Sequence, residues 1–310
     1  MTKGAILPLE SLRLTQYVTP IACYVCAADN TYDAESCTHC GAPMALAHQA
    51  QSQDVHPQLV ACLGASGAGK TVYLGMLMDM LSRRPELLQL LARGAFSITL
   101  QQQTISALAA CEFPQKTPNE PDRWNWVHCQ IRRPPSPQLL ELIVPDMAGE
   151  ALLEEVDHPR TYRVVGAFLK KCAGAMLLVD ATHFLDSARQ EDFFSMKLLS
   201  YLSELRLPAG EAWDRKPLAV IFTKADQVEE CLEDPPGFAR QHAVGLWQHC
   251  HERFARHRFF AAGVAGSCAL RESMLAGRMQ VPLRIEPRGV LEPFLWLLDQ
   301  MPAAEPKRRR

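Results

Sequence analysis

Residues 64–71 read Gly64-Ala65-Ser66-Gly67-Ala68-Gly69-Lys70-Thr71, a full match to the pattern G-x-x-x-x-G-K-[ST]. Glycines at these places let backbone N–H groups converge on a concave nest, and the helix that follows adds the partial positive charge of its N-terminus. The lysine can reach the outer phosphates of a nucleoside triphosphate, and the threonine hydroxyl can hold Mg²⁺. The flanks agree. Leu59-Val60-Ala61-Cys62-Leu63 is a short apolar run of the buried-strand type, and residues 72–81 are apolar and helical apart from Gly75. The bland alternative is a glycine-rich turn between a strand and a helix.

The chain has 310 residues, 48% of them hydrophobic, and a formal net charge of −2. That length fits one large domain with a small appendage. The charge argues against a nucleic-acid protein held by bulk electrostatics. No apolar stretch reaches membrane-span length, and the start Met-Thr-Lys-Gly has no apolar leader region, so a cytoplasmic location is expected. There are 11 cysteines. Four cluster near the N-terminus and the rest are scattered singly through apolar segments. This suits a reducing compartment with one metal site and buried thiols.

The clustered cysteines are Cys23, Cys26, Cys37 and Cys40, two CxxC turns ten residues apart. Paired CxxC turns bring four thiolates to one tetrahedral ion, whereas redox CxxC motifs come singly. Asp29-Asn30-Thr31 suits a hairpin tip between the turns, and Gly41 suits the left-handed conformation after the second pair. So small a module has almost no core, and zinc would supply its folding energy. Four thiolates leave no open coordination position for catalysis. His39 reads as a solvated neighbour.

Three further motifs follow in order. An alternating strand around residues 123–132, a turn at Pro134-Pro135-Ser136-Pro137 and a strand at 139–144 predict a hairpin. The hairpin ends in Asp146-Met147-Ala148-Gly149. Asp146 stands where a strand-end carboxylate holds the Mg²⁺ shell, and the Gly149 N–H can face a γ-phosphate. The apolar strands 174–179 and 218–222 come next, and the second runs into Thr223-Lys224-Ala225-Asp226. A carboxylate at Asp226 accepts two hydrogen bonds from guanine N1 and N2, which adenine cannot donate, while the Lys224 stem covers the base. A last strand, 259–264, leads to Ser267-Cys268-Ala269, where a backbone N–H suits guanine O6. The stretch from Leu81 to Phe113 reads as broadly helical, residues 151–171 as one helix, and 291–301 as a closing helix. Strands alternating with helices predict an α/β fold: a mixed, mostly parallel six-stranded sheet with helices on both faces.

On residues 64–71, 146–149, 223–226 and 267–269 the chain resembles GTPases of the TRAFAC class with a Ras-like G domain. With the N-terminal zinc ribbon and the Lys-Thr-Pro segment at 116–118, it is also similar to the bacterial double-GTPase group, which is associated with multi-gene conflict or defence systems. The resemblance covers residues 57–301 as the G domain, which follows a segment read as N-terminal (1–19), ribbon (20–43) and linker (44–56) and precedes a basic tail (302–310). It implies GTP/GDP, Mg²⁺ and Zn²⁺ as cofactors and a protein effector or activator as partner. It makes Thr117 the first-switch threonine that closes on Mg²⁺, with Thr104 as fallback. Glu150 stands where many relatives carry a water-orienting glutamine, and Ser66 where they carry glycine. Lys70, Thr117, Gly149 and Glu150 are the implied catalytic set. Arg160 and Arg163 are candidates for a cation supplied in cis. Pro145, before the metal-side aspartate, predicts a bulge or fray.

The expected activity is slow, Mg²⁺-dependent GTP hydrolysis by a molecular switch. The alternative is a nucleotide-loaded scaffold without turnover, whose ribbon docks a partner protein. Trp124, Trp126, Trp213, Trp247 and Trp296 read as packing residues. His242, His249, His251 and His257 read as a solvated helix face. Lys307-Arg308-Arg309-Arg310 reads as a solvated end.

Overall fold

The computed structural model describes residues 19–52, 56–84, 86, 88–132, 139–185, 190–207, 211–273 and 277–302. The N-terminal segment up to residue 18, the Pro134–137 turn and the basic end at 307–310 lie outside the described residues.

The described residues begin with two short antiparallel strands, β1 (Ile21–Ala22) and β2 (Asp29–Asn30), and a helix, α1 (Ala45–Gln51). The main body follows as β3 (Gln58–Leu63), α2 (Lys70–Ser82), β4 (Gln89–Arg93), α3 (Gly94–Ala109), β5 (Asn125–Arg132) and β6 (Leu139–Asp146). Next come α4 (Gly149–Asp157), α5 (Arg163–Lys171), β7 (Gly174–Asp180), α6 (Gln190–Glu204) and β8 (Leu218–Thr223). The C-terminal part holds α7 (Glu229–Glu233), α8 (Pro235–His242), α9 (Val244–Arg253), β9 (His257–Ala261), β10 (Gly263–Ser273), β11 (Gly277–Arg288) and α10 (Leu291–Gln300).

The central sheet has the order β4-β5-β6-β3-β7-β8-β9. The β4–β5 and β5–β6 pairs are antiparallel, and every pair from β6 to β9 is parallel. The mixed, mostly parallel α/β architecture is therefore present, with seven strands in the central sheet among the described residues in place of the expected six. The added strand is β4. Its Gln-Leu-Leu-Ala-Arg sequence has no β-branched residue and is made of good helix formers throughout, so local propensity hid it inside the apparent 81–113 helix. Buried strands β3, β7 and β8 are apolar on both faces, as strands covered by helices on each side must be.

Other elements also depart from expectation. The single helix at 151–171 is two helices, because His158 precedes Pro159 and is disfavoured in the helical region. Buried Glu155 holds the break, accepting the backbone N–H of Arg160 and Tyr162 and the Tyr201 hydroxyl. Pro145 causes no bulge: the register of β6 against β5 is unbroken from Leu139 to Asp146. The parallel ladder to β3 stops at Ile143, so the missing proline N–H falls beyond it. The last sheet strand ends at Ala261, and the chain then forms a separate two-stranded hairpin, β10–β11. His257 opens β9 and packs on His251 and Phe259, off the helix face expected for it.

The stretch expected as a linker carries α1, and its Leu46, Ala47 and Ala50 are buried. Cys23, Cys37, Cys40, Met44 and Leu46 share one continuous apolar cluster with Leu59 and Leu63 of the sheet. Tyr24 donates to the Pro57 carbonyl, and the Lys171 ammonium lies 4.0 Å above the Tyr24 ring. The cysteine module is thus packed onto the main core. No helix among the described residues is long and apolar enough to cross a membrane.

Candidate nucleotide site

The loop of residues 64–69 turns between β3 and α2 at the carboxyl end of the parallel strands. Gly67 and Gly69 have φ near +80°, a conformation that costs little only for glycine. A Cβ on Gly64 would come within 2.4 Å of the Leu178 carbonyl oxygen, so β7 could not lie so close beside any other residue. Buried Lys70 curls over this loop, donating to the carbonyls of Gly64 and Ala65 at 2.9 Å each. Ala65, Ser66 and Ala68 complete the cradle.

Three oxygens from separate segments meet at the first turn of α2. The Thr71 hydroxyl donates to Asp146 Oδ2 at 2.9 Å, the Thr117 hydroxyl reaches the same oxygen at 3.0 Å, and the two hydroxyls are 3.1 Å apart. Asp146 Oδ1 is buried with no hydrogen-bond partner among the described residues. Burial raises the Asp146 carboxyl above its usual range, against the opposing hydroxyl of Thr71, charge of Lys70 and hydroxyl of Thr117. Clustered hard oxygens with an unsatisfied carboxylate atom fit a Mg²⁺ ion. The Trp124 indole donates to the Pro118 carbonyl at 2.9 Å and pins the chain one residue beyond Thr117. Thr104 is elsewhere: buried on α3, it fills the space beside Gly75 of α2, where a Cβ would approach its hydroxyl to 2.1 Å.

Gly149 presses on the loop so closely that a Cβ would sit 2.2 Å from the Ser66 nitrogen. Glu150 follows it. The Ser66 hydroxyl donates to Glu150 Oε1, and Lys116 Nζ lies 3.6 Å from the same oxygen. Burial pushes the Glu150 carboxyl up, but the Ser66 hydroxyl, its own backbone N–H and Lys116 outweigh this and leave it below the ordinary value.

At the other end of the cavity, the Thr223 hydroxyl donates to the Ala68 carbonyl at 2.9 Å, fastening β8 to the phosphate loop. Lys224 takes a left-handed conformation and pairs with Asp180, which also accepts from the Thr182 backbone and hydroxyl. Asp226 is half-buried and faces the same space. Gly263 packs against it, since a Cβ there would be 2.5 Å from Asp226 Oδ1. A single cavity of about 270 Å³ runs from Ser66 and Thr117 to Lys224, Asp226 and Cys268. Ser267 is exposed and not part of its lining; Ala262, Val264 and Ala265 occupy that wall. The shift arises because the sheet strand ends at Ala261 and the motif-like Ser267 belongs to the β10–β11 hairpin. That hairpin also brings Gln280 to the cavity, a residue no motif marks.

The four cysteine Sγ atoms of the N-terminal module lie within 4.8 Å of one another. Cys23–Cys40 and Cys26–Cys37 are 3.7 and 3.6 Å apart. Zinc–sulfur bonds of about 2.3 Å in a tetrahedron set sulfurs about 3.8 Å apart, so the cluster fits a zinc ion. The two turns match: Ala27 N–H donates to Cys23 O and Gly41 N–H to Cys37 O, with both Ala27 and Gly41 left-handed. Asn30 pairs with β1 instead of forming a tip, and its side chain donates toward Cys37 Sγ at 3.5 Å. His39 contributes only its backbone N–H, 3.4 Å from Cys37 Sγ.

The sheet order, the loop on α2 and the two strand-end motifs define a P-loop GTPase-like domain. Residues 61–205 match the family model Double-GTPase 1, and over that span the chain is similar to this family. Among solved structures, it is similar to a nucleolar GTP-binding protein 1 of Plasmodium falciparum at 12% identity and a TM-score of 0.40, covering 80% of this chain and 88% of that one. An ADP-ribosylation-factor-like GTP-binding protein of Encephalitozoon cuniculi, in complex with GDP, is similar at 17% identity and a TM-score of 0.37, covering 79% of each chain. The Ski7 GTPase-like domain of S. cerevisiae, bound to GTP, is similar at 16% identity and a TM-score of 0.38, over 70% of this chain and 44% of that one. No curated protein matches the chain in sequence.

Proposed function

We propose that this chain is a cytoplasmic guanine-nucleotide switch that binds GTP and GDP with Mg²⁺ and hydrolyses GTP slowly. The observation that carries the reading is the meeting of Thr71, Thr117 and Asp146 at one end of a cavity whose other end holds Asp226. Lys70 would exchange its two loop carbonyls for the outer phosphates, and the loop N–H groups would cradle them. Thr71, Thr117 and Asp146 would hold Mg²⁺, which supplies charge neutralisation at the β- and γ-phosphates. The Asp226 carboxylate would accept from guanine N1 and N2. Its buried flank makes a base that cannot donate there costly. The Cys23, Cys26, Cys37 and Cys40 cluster is read as a structural zinc site. The resemblance to the double-GTPase group further suggests a place in a bacterial multi-gene conflict system, with a protein effector as partner.

Calorimetry with GDP, GTP and ATP tests the reading. GDP and GTP should bind in the presence of Mg²⁺ and ATP should not; equal affinity for ATP and GTP removes it. Turnover of labelled GTP should take roughly minutes to hours, the scale of a Ras-type enzyme without an arginine finger.

A second reading, a nucleotide-loaded scaffold without turnover, is favoured by one observation. Glu150 brings a carboxylate to the phosphate end of the cavity, where its charge opposes a triphosphate. Absence of multiple-turnover phosphate release, with GTP binding intact, would select it.

A further inference from the structure

Arg160 and Arg163, the candidates for a cation in cis, are not among the cavity-lining residues, and the Arg160 backbone is committed to Glu155. Three cationic side chains do line it among the described residues: Lys70, Lys224 and Lys116. Lys70 belongs to the phosphate loop and Lys224 to the base end, where it pairs with Asp180. Lys116 is left without a role. It precedes Thr117, whose hydroxyl is fixed at Asp146, so the lysine is delivered to the phosphate end of the cavity. Its side chain is 77% exposed, and an exposed ion pair contributes only about 0–1 kcal/mol. The pair with Glu150 is therefore not explained by stability. Its position explains it better. Glu150 is anchored from the other side by Gly149 against the loop backbone, so Lys116, Glu150 and Ser66 converge on the rim where a γ-phosphate would lie.

We infer that Lys116 is a built-in cation for the γ-phosphate, parked on Glu150 when no triphosphate is bound. The inference rests on the GTPase reading above. With GTP present, the ammonium transfers from the carboxylate to a γ-phosphate oxygen. This neutralises the charge that grows there and frees Glu150 to hold the attacking water. The water oxygen bonds to the γ-phosphorus as the bond from that phosphorus to the β–γ bridging oxygen breaks. The bridging oxygen leaves with the electron pair on GDP. One water proton passes to Glu150 and then to the departing phosphate, so GTP and water give GDP and dihydrogen phosphate. Lys116 keeps its proton throughout.

Lys116→Ala and Lys116→Met test this on the full chain, with Lys116→Arg as the conservative variant. Two readouts are used: the affinity of a non-hydrolysable GTP analogue relative to GDP, and single-turnover hydrolysis of labelled GTP. Both neutral variants should lower the analogue-to-GDP affinity ratio about tenfold and slow hydrolysis on the order of 100-fold, within the range for loss of one transition-state donor. GDP affinity should stay within about twofold, because GDP has no γ-phosphate for the lysine to meet. Lys116→Arg should retain most of both. In the Lys116→Ala background, Glu150→Gln should restore part of the analogue affinity, because a neutral amide does not repel the triphosphate. An unchanged ratio and rate in Lys116→Ala, in a protein that binds GDP normally, overturns the inference and leaves the GTPase reading standing. A wild-type chain that binds no guanine nucleotide overturns both.

Discussion

Gln49 Oε1 lies 3.1 Å from His128 Nδ1, and this contact joins the helix of the cysteine module to the hairpin that delivers Asp146. On its other side the His128 ring meets Glu141 Oε2 at 2.8 Å, with both side chains essentially inaccessible to water. Gln130, the register partner of Glu141 across the β5–β6 hairpin, donates to the other Glu141 oxygen at 2.7 Å. A buried polar chain of this kind stabilises only when every member is satisfied.

Gln49→Ala should therefore destabilise the chain by about 1–3 kcal/mol, the cost of leaving the buried imidazole nitrogen unpaired. The shift should appear as a lower urea midpoint with an unchanged slope. Affinity for Mg²⁺-GDP should fall as well, since β5 and β6 form the support of Asp146. A variant as stable as wild type would mean that water enters and replaces the amide.

Metal removal should act on the whole chain. Two separate cores would let nucleotide binding survive chelation, but Cys23, Cys37 and Cys40 share an apolar cluster with Leu59 and Leu63 of the central sheet. Elemental analysis should find one zinc per chain in protein purified without chelator. A strong chelator should lower the midpoint of thermal unfolding in a single transition and weaken GDP binding with it. Two transitions, the later one unmoved, would show that the module melts alone.

The meeting of the 64–71 loop with Asp146, and of Asp226 with the same cavity, was legible in the sequence because each motif fixes residue types at fixed spacing. The cysteine cluster was legible for the same reason. The role of Lys116 was not: the Lys-Thr-Pro segment at 116–118 entered only through the resemblance, which gave the lysine no task, and only the pinning of Thr117 at Asp146 gives it a direction. The Gln49–His128–Glu141 chain was hidden by sequence distance, its first link spanning 79 residues. Strand β4 was hidden by its leucines, and β11 by its separation from the central sheet, where no alternation of strands and helices announces it. Ser267 misled because a serine after a strand is ordinary, while the wall of the cavity is built by Ala262, Val264 and Ala265, two to five residues earlier.

Gly263 should prove to be a determinant of base affinity without touching the base. A Cβ there would lie 2.5 Å from Asp226 Oδ1 and 2.8 Å from its Cβ, so both the carboxylate and its stem must move. Gly263→Ala should weaken GDP binding by about tenfold or more, the scale of a lost charge-assisted pair, while changing thermal stability little. In an Asp226→Ala background the same substitution should have no further effect on binding, because the displaced group is already gone. An additive loss in the double variant would place the effect elsewhere.

Guanine binding should weaken in acid sooner than an ordinary aspartate would allow. Burial raises the Asp226 carboxyl above its usual value, while its own backbone N–H, Lys224 and Arg288 work against the rise and Asp180 adds to it. Guanine N1 and N2 donate to the ionised form only, so binding favours the carboxylate and lowers its pKa in the complex. Between the pKa of the complex and that of the free protein, a proton must leave before the base docks, and affinity falls by up to about tenfold per pH unit. Above the raised pKa the affinity should be flat. For folding the sign is opposite. A carboxyl raised in the folded state favours folding below its unfolded pKa, and that contribution is lost as pH rises through the folded value. The nucleotide-free protein should not share the acid weakness at this residue. Titration of fluorescent GDP across pH, with intrinsic fluorescence reporting the fold, checks the affinity. Asp226→Asn should lose GDP binding, gain preference for xanthine nucleotides, and shed this carboxylate's contribution to the pH profile. An acid limb unchanged in a variant without the carboxylate would assign the titration to another group.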